Sequence, residues 1–269
     1  MKGLLLSLWQ VRLIAGDVYR AAVREKMMYG FLLLSFLFIL MANVPYMVAD
    51  PKVFENQPPL TSSLQIGFVA IHIFILLIAV FVSLNTMQNY LAFERLVLLL
   101  PRPVRRWQIM AGVLLGLYQM ILINWFLMTM GIWLVVLSHE RMLLPFVWSG
   151  LSVAALLGIL YVSLVVFFYC LMPNMMAGVL TIFVVIAGFG ASSARLVFAR
   201  FGWPVFFEKA ARLGLNALPQ INTLLGISMK ELRFFHLDIP AGFYILQSFF
   251  LIAALGLFSC SAFERRSQF

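Results

Sequence analysis

Side chains able to move protons, hold metals or attack substrates are few in this 269-residue chain, and their spacing fits no such chemistry. The histidines His72, His139 and His236 are scattered, without the helical His-Glu arrangement that an intramembrane metalloprotease needs for zinc and its water. Cys170 and Cys260 stand singly at expected helix ends, where a thiol serves as a small buried hydrophobe rather than half of a disulfide. The 15 methionines could suit Cu(I) through their thioethers, but they lack clustered ligand spacing and read as packing filler. No Gly-x-x-x-x-Gly-Lys-Ser/Thr phosphate loop occurs, so any ATP used by this protein is hydrolysed on another polypeptide. Catalytic, cofactor-binding and metal residues are therefore expected to be absent from this chain.

One stretch concentrates charge, and its chemistry is that of docking. Residues 88–106 run Gln88-Asn89-Tyr90-Leu91-Ala92-Phe93-Glu94-Arg95, then Leu96 to Leu100, then Pro101-Arg102-Pro103-Val104-Arg105-Arg106. This predicts a short amphipathic helix, a proline stop and a basic turn restarting a membrane helix, because Pro101 and Pro103 cannot continue a helix and restrict the residues before them. Glu94, Arg95, Arg102, Pro103, Arg105 and Arg106 are the candidate contacts, since an arginine fork binds a carboxylate in two places. The plainer alternative is a positively charged inner loop that only sets topology.

The elements that hold this stretch are apolar. Hydrophobic residues make up 64% and charged residues 11% of the chain, against about a quarter charged in a soluble domain. Mean hydropathy is +1.02. No charge lies between Arg141 and Arg195, about fifty residues, or more than two bilayer crossings, broken only at Leu171-Met172-Pro173-Asn174. Further charge-free runs occupy 27–49, 56–93, 107–138 and 239–263. The expected fold is all-α: a polytopic integral membrane protein with six transmembrane helices, an N-terminal interfacial helix and an amphipathic inner coupling helix.

The expected divisions are 1–26, a helix in the inner headgroup layer with Trp9 at the boundary; 27–87, transmembrane helices 1 and 2; and 88–106, the cytoplasmic segment. Then come 107–191 with helices 3 to 5, 192–239 as an extracytoplasmic loop with short amphipathic or re-entrant helices, and 240–269 with helix 6 and a cytoplasmic tail. Helix 1 is expected from about Met28 to Val48, helix 2 from about Ile66 to Thr86, and the first membrane helix is expected to serve as the targeting signal. With both termini inside, eleven of the 19 basic residues fall on the inner side: Lys2, Arg12, Arg20, Arg24, Lys26, Arg95, Arg102, Arg105, Arg106, Arg265 and Arg266. The net charge of +9 thus speaks for a lipid surface, and no nucleic-acid partner is expected.

The expected spans carry no Asp, Glu, Lys or Arg, each of which would cost about 2.5–3.5 kcal/mol at mid-membrane. This argues against a proton- or sodium-coupled carrier. His72, Asn85 and Asn124 are the candidates for lining a translocation path, with hydrogen bonding to neighbouring helices as the plainer role. Gly112-x-x-x-Gly116 permits close helix approach, as in a dimer seam.

Glu94, Leu99-Leu100, Arg102-Pro103-Val104, Arg106 and Gly112 together resemble the inner-loop pattern of permease subunits of type-2 ABC exporters. Ala217-Leu218-Pro219-Gln220-Ile221-Asn222 is similar to that family's Leu-Pro stretch, and Phe263-Glu264-Arg265-Arg266 to its Phe-x-Arg-Arg close. The chain departs from the pattern at Arg95-Leu96-Val97, where Gly-Thr is common, and at Val113, where Lys is. The resemblance implies a coupling segment at 88–106 docking on a cytoplasmic ABC ATPase, two copies of which carry ATP and Mg. It also implies a second permease half, identical or not, and a bacterial inner-membrane location, while spans so poor in polar groups point to an amphipathic or lipid-linked substrate. A non-transporting membrane scaffold or assembly factor, holding an extracytoplasmic partner at 192–239, is the alternative.

Overall fold

A computed structural model describes residues 2–47, 59–90, 105–140, 146–200 and 241–265, and every element within them is a helix. In order these are α1 (Lys2–Val23), α2 (Lys26–Met41), α3 (Val44–Met47), α4 (Pro59–Leu77), a π-helical turn (Ile78–Val82), α5 (Ser83–Tyr90), α6 (Arg106–Glu140), α7 (Phe146–Leu171), α8 (Asn174–Arg200) and α9 (Ala241–Arg265). Prolines mark the starts. Pro59 is the first residue of α4, and Pro145, Pro173 and Pro240 immediately precede α7, α8 and α9. A helix start has no use for the missing N–H, and the fixed φ is already helical.

Four helical stretches are long and apolar enough to cross a bilayer: Ser62–Tyr90, Arg106–His139, Leu151–Leu171 and Ile245–Phe263. Two shorter apolar helices, Lys26–Met41 and Asn174–Gly188, accompany them. Their outward faces are oily, with Leu33, Leu37, Phe126, Leu134, Phe183, Phe250 and Leu257 all exposed. A surface this apolar is unsuited to water and natural in lipid, where helices satisfy their own backbone groups. The chain is a membrane-embedded helical protein.

α6 is the axis. It packs against α1, α2, α4, α7 and α9, and at 35 residues it is about 52 Å long. Small residues set the close approaches. A Cβ at Gly67 of α4 would lie 2.6 Å from Ile132 of α6. One at Gly158 of α7 would meet Ile121 of α6 at 2.7 Å and Ile75 of α4 at 2.9 Å. The middle of α7, from Leu160 to Val166, is buried on all sides.

α1 is amphipathic: Val11, Ile14, Ala15, Val18 and Ala22 form its buried stripe, while Arg12, Asp17 and Arg20 face outward. That stripe lies along the first half of α6. Gln108 of α6 donates to Ser7 Oγ at 2.7 Å, Gly112 faces Val11 and Ile14, and Gly116 faces Ala15 and Val18. The shared order makes the two helices parallel. Gly112-x-x-x-Gly116 therefore forms a seam inside the chain, not the dimer seam its spacing suggested.

Four boundaries differ from the sequence expectation. α2 ends at Met41 rather than near Val48, because Ala42 and Asn43 bond three residues back in a turn before the separate helix α3. α4 begins at Pro59, because a proline opens a helix as readily as it ends one. α5 runs to Tyr90, so residues 88–90 belong to the helix rather than to the loop. α8 continues past 191 to Arg200, since Ala191–Arg200 contains no glycine or proline to stop it before Gly202. The rest of 192–239, from 201 on, lies outside the described residues.

Candidate functional site

Glu94, Arg95, Arg102 and Pro103 lie outside the described residues; their flanks do not. On the far flank, Arg105 and Arg106 are exposed at the start of α6. The Arg105 backbone N–H donates to Gln108 Oε1 at 2.7 Å, a side chain three residues on reaching back as in a capping box. Gln108 is buried, and its Nε2 bonds Ser7. One glutamine thus closes the helix start and ties it to α1, giving the two arginines a fixed base.

Two cations at a helix N-terminus oppose the macrodipole, at a cost of about 0.3–1 kcal/mol each when exposed. Arg105 and Arg106 therefore weaken the local helix while making its end strongly electropositive. A sequence that breaks a local rule at an exposed, rigidly held position is the usual signature of a contact made elsewhere.

On the near flank stands α5. Asn85 Nδ2 donates to Glu25 Oε2, and Asn89 Nδ2 donates to Glu25 Oε1 at 2.9 Å. Asn85 and Asn89 are one turn apart and so share a helix face. Glu25 sits at the break between α1 and α2, with backbone φ −67° and ψ 121°.

The other two path candidates are inside the packing of the single chain. His72 is 5% exposed and its Nδ1 donates to Phe68 O, one turn earlier on its own helix, at 2.7 Å. Asn124, 2% exposed, donates likewise to Met120 O at 2.8 Å. The bonds expected to neighbouring helices are thus made within the helix, leaving His72 Nε2 and Asn124 Oδ1 without hydrogen-bond partners among the described residues. Asn85 is 13 residues beyond His72, about 20 Å along the rod. It joins the Glu25 cluster instead of a lining shared with the other two.

Further bonds between helices are made by Tyr118, Trp125 and His139. Tyr118 Oη and Ser163 Oγ are 2.7 Å apart, joining α6 to α7. Trp125 Nε1 donates to Leu151 O at 2.8 Å. His139 Nε2 donates to Asn43 Oδ1 at 3.1 Å, fastening the end of α6 to the turn after α2. Among the described residues no group of three His, Cys, Asp or Glu could hold a metal ion.

Glu25, Gln108 and Ser7 were given no role in the sequence, and Asn89 stood only as part of the 88–106 segment. For the asparagines a signal existed: two amides at i and i+4, at the end of an apolar run. Compared with known proteins, the chain matches no family model and no curated protein.

Proposed function

We propose that the chain is the transmembrane permease subunit of an ATP-binding cassette transporter. One observation carries the reading: two helical rods of membrane length, ending at Tyr90 and starting at Arg106, frame a short basic, proline-braced segment. Tilting such rods by pushing on the segment between them is a mechanism that four apolar helices and the absence of an ATPase loop both favour. Six crossings follow if Lys26–Met41 and Asn174–Gly188 also cross, the first being 16 residues, or about 24 Å, and so needing local thinning or neighbouring residues to span.

In this reading both termini are cytoplasmic, in the inner membrane of a bacterium. Two permease halves pair, and one ATPase docks beneath each through 88–106. ATP and Mg bind the ATPases, whose closure moves the docked segments and opens the cavity between halves alternately to either side. Spans so poor in polar groups suit an amphipathic or lipid-linked substrate better than a highly charged solute.

Purification of the affinity-tagged chain from its native membrane, in a mild detergent, tests this. An ATP-hydrolysing subunit carrying a phosphate loop is expected at equal stoichiometry. Recovery of the chain with an extracytoplasmic partner and no ATPase would overturn the reading in favour of the scaffold.

A further inference from the structure

Glu25 occupies the N-cap of α2, where a short polar side chain would normally fold back onto the first turn. It makes no such cap bond. It also lies between Arg24 and Lys26 in the chain, yet its carboxylate is spent on neither. Both oxygens reach across to α5 and accept amide N–H groups from Asn85 and Asn89. A carboxylate taking two side-chain amides of one helix face fixes both the distance and the rotation of that helix.

α5 is a helix for which such fixing matters. It is eight residues long and is preceded by the π-helical turn Ile78–Val82. A π turn widens the backbone and interrupts the regular ladder, so the helix beyond it is not held in register by α4 alone. α5 also packs against α1 and α7. Its last residue, Tyr90, leads directly into residues 91–104.

We propose that Glu25 is a positioning residue, a latch that holds α5 to the α1–α2 break. Movement of α5 is then shared with α1, which lies along α6, and with α2, which starts immediately after Glu25. The latch explains why a carboxylate at a helix start forgoes its own cap. In the transporter reading, on which only this last step rests, the latch passes a push on the docking segment to the N-terminal third of the chain.

Pulsed electron paramagnetic resonance on the full chain in nanodiscs tests the latch directly. Spin labels are placed at Arg20→Cys on α1 and Gln88→Cys on α5, with Cys170 and Cys260 replaced by alanine. The unaltered latch should give one narrow distance distribution. Glu25→Ala and the double variant Asn85→Ala/Asn89→Ala should each broaden it at least two-fold. Glu25→Gln, which keeps the shape and one acceptor oxygen and so preserves folding, should fall between. Distributions of unchanged width in Glu25→Gln and the double asparagine variant would overturn the proposal.

A second arm separates this from the transporter reading. In complex with the copurified ATPase, trapping with vanadate should shift the Arg20–Gln88 distance as a single population, and Glu25→Gln should split it into two. Broadening in the first arm, with no ATPase ever copurifying with the chain from its native membrane, would support the latch and sink the transporter. A nucleotide-driven shift identical in Glu25→Gln would sink the latch alone.

Discussion

Gly116→Leu strips α1 from the bundle. A Cβ at Gly116 would lie 2.7 Å from the Ala15 carbonyl oxygen and 2.8 Å from Val18 Cβ. The first of these is backbone and cannot turn aside, so the helices must separate. Separation uncovers Val11, Ile14, Val18 and Ala22, of which Val18 and Ala22 are fully buried. Forcing extra atoms into a packed seam costs about 1–3 kcal/mol, and each large apolar side chain uncovered to water adds about 1.5–3 kcal/mol. Helix propensity returns under 1 kcal/mol, since glycine is the poorer helix former.

The net expectation is a loss of about 3 kcal/mol or more. It should be read as a lowered thermal midpoint in detergent and as tryptic cleavage at Arg12 and Arg20 at least ten times faster. Gly112→Leu should behave similarly, because its Cβ would meet Ile14 at 2.6 Å and the Val11 carbonyl oxygen at 3.1 Å. Gly30→Ala is the control. Nothing lies within 4 Å of that Cβ, so the change should leave stability level or raise it by up to about 1 kcal/mol. Gly116→Leu with wild-type protease resistance would refute the seam.

In the proposed transporter, Arg105→Glu/Arg106→Glu should impair coupling while sparing the fold. Both positions are exposed at the first turn of α6, where acidic side chains suit the helix dipole and arginines do not. Stability should therefore hold or rise by up to about 1 kcal/mol. The proposed docking surface, in contrast, changes by four charges, and like charges facing an acidic ATPase surface would repel. Transport should fall at least ten-fold, and the ATPase should dissociate more readily as the salt concentration drops. In the unaltered complex, raising salt should weaken docking. Opposite signs for stability and function make the test sharp: a merely structural role would lower both together. Unchanged transport in the reversed variant would count against docking through these arginines.

The sequence showed the existence of the helices far better than their neighbours. Charge-free runs and the proline before α7, α8 and α9 mark helices through local rules, and those rules act wherever the chain is apolar. Gly112 and Gly116 announced a close approach, but spacing carries no address. Only the matching stripe of α1, Val11 to Ala22, identifies the partner, and the match appears once both helices are built.

His72 and Asn124 were expected to bond across helices. In a tightly packed apolar interior the nearest acceptor is the carbonyl one turn back, which is always present, so both bond locally. Glu25 was invisible for a different reason. A carboxylate between Arg24 and Lys26 reads as a surface ion pair, whereas its partners are two amides 60 and 64 residues away, beyond α2 and most of a helical rod. The π turn at Ile78–Val82 left no mark either, since its residues, Ile-Ala-Val-Phe-Val, are those of any buried helix.

The side of the membrane that carries residues 88–106 tests the account most directly. A cysteine at Gln88, exposed on α5, is introduced with Cys170 and Cys260 removed, and probed with a membrane-impermeant maleimide. Labelling in inverted vesicles and none in intact spheroplasts is the expected result, with a cysteine at Lys52, in the outer loop expected between helices 1 and 2, giving the reverse. Labelling of Gln88→Cys in intact spheroplasts would put the basic segment beyond the reach of any cytoplasmic ATPase and contradict the proposed function outright.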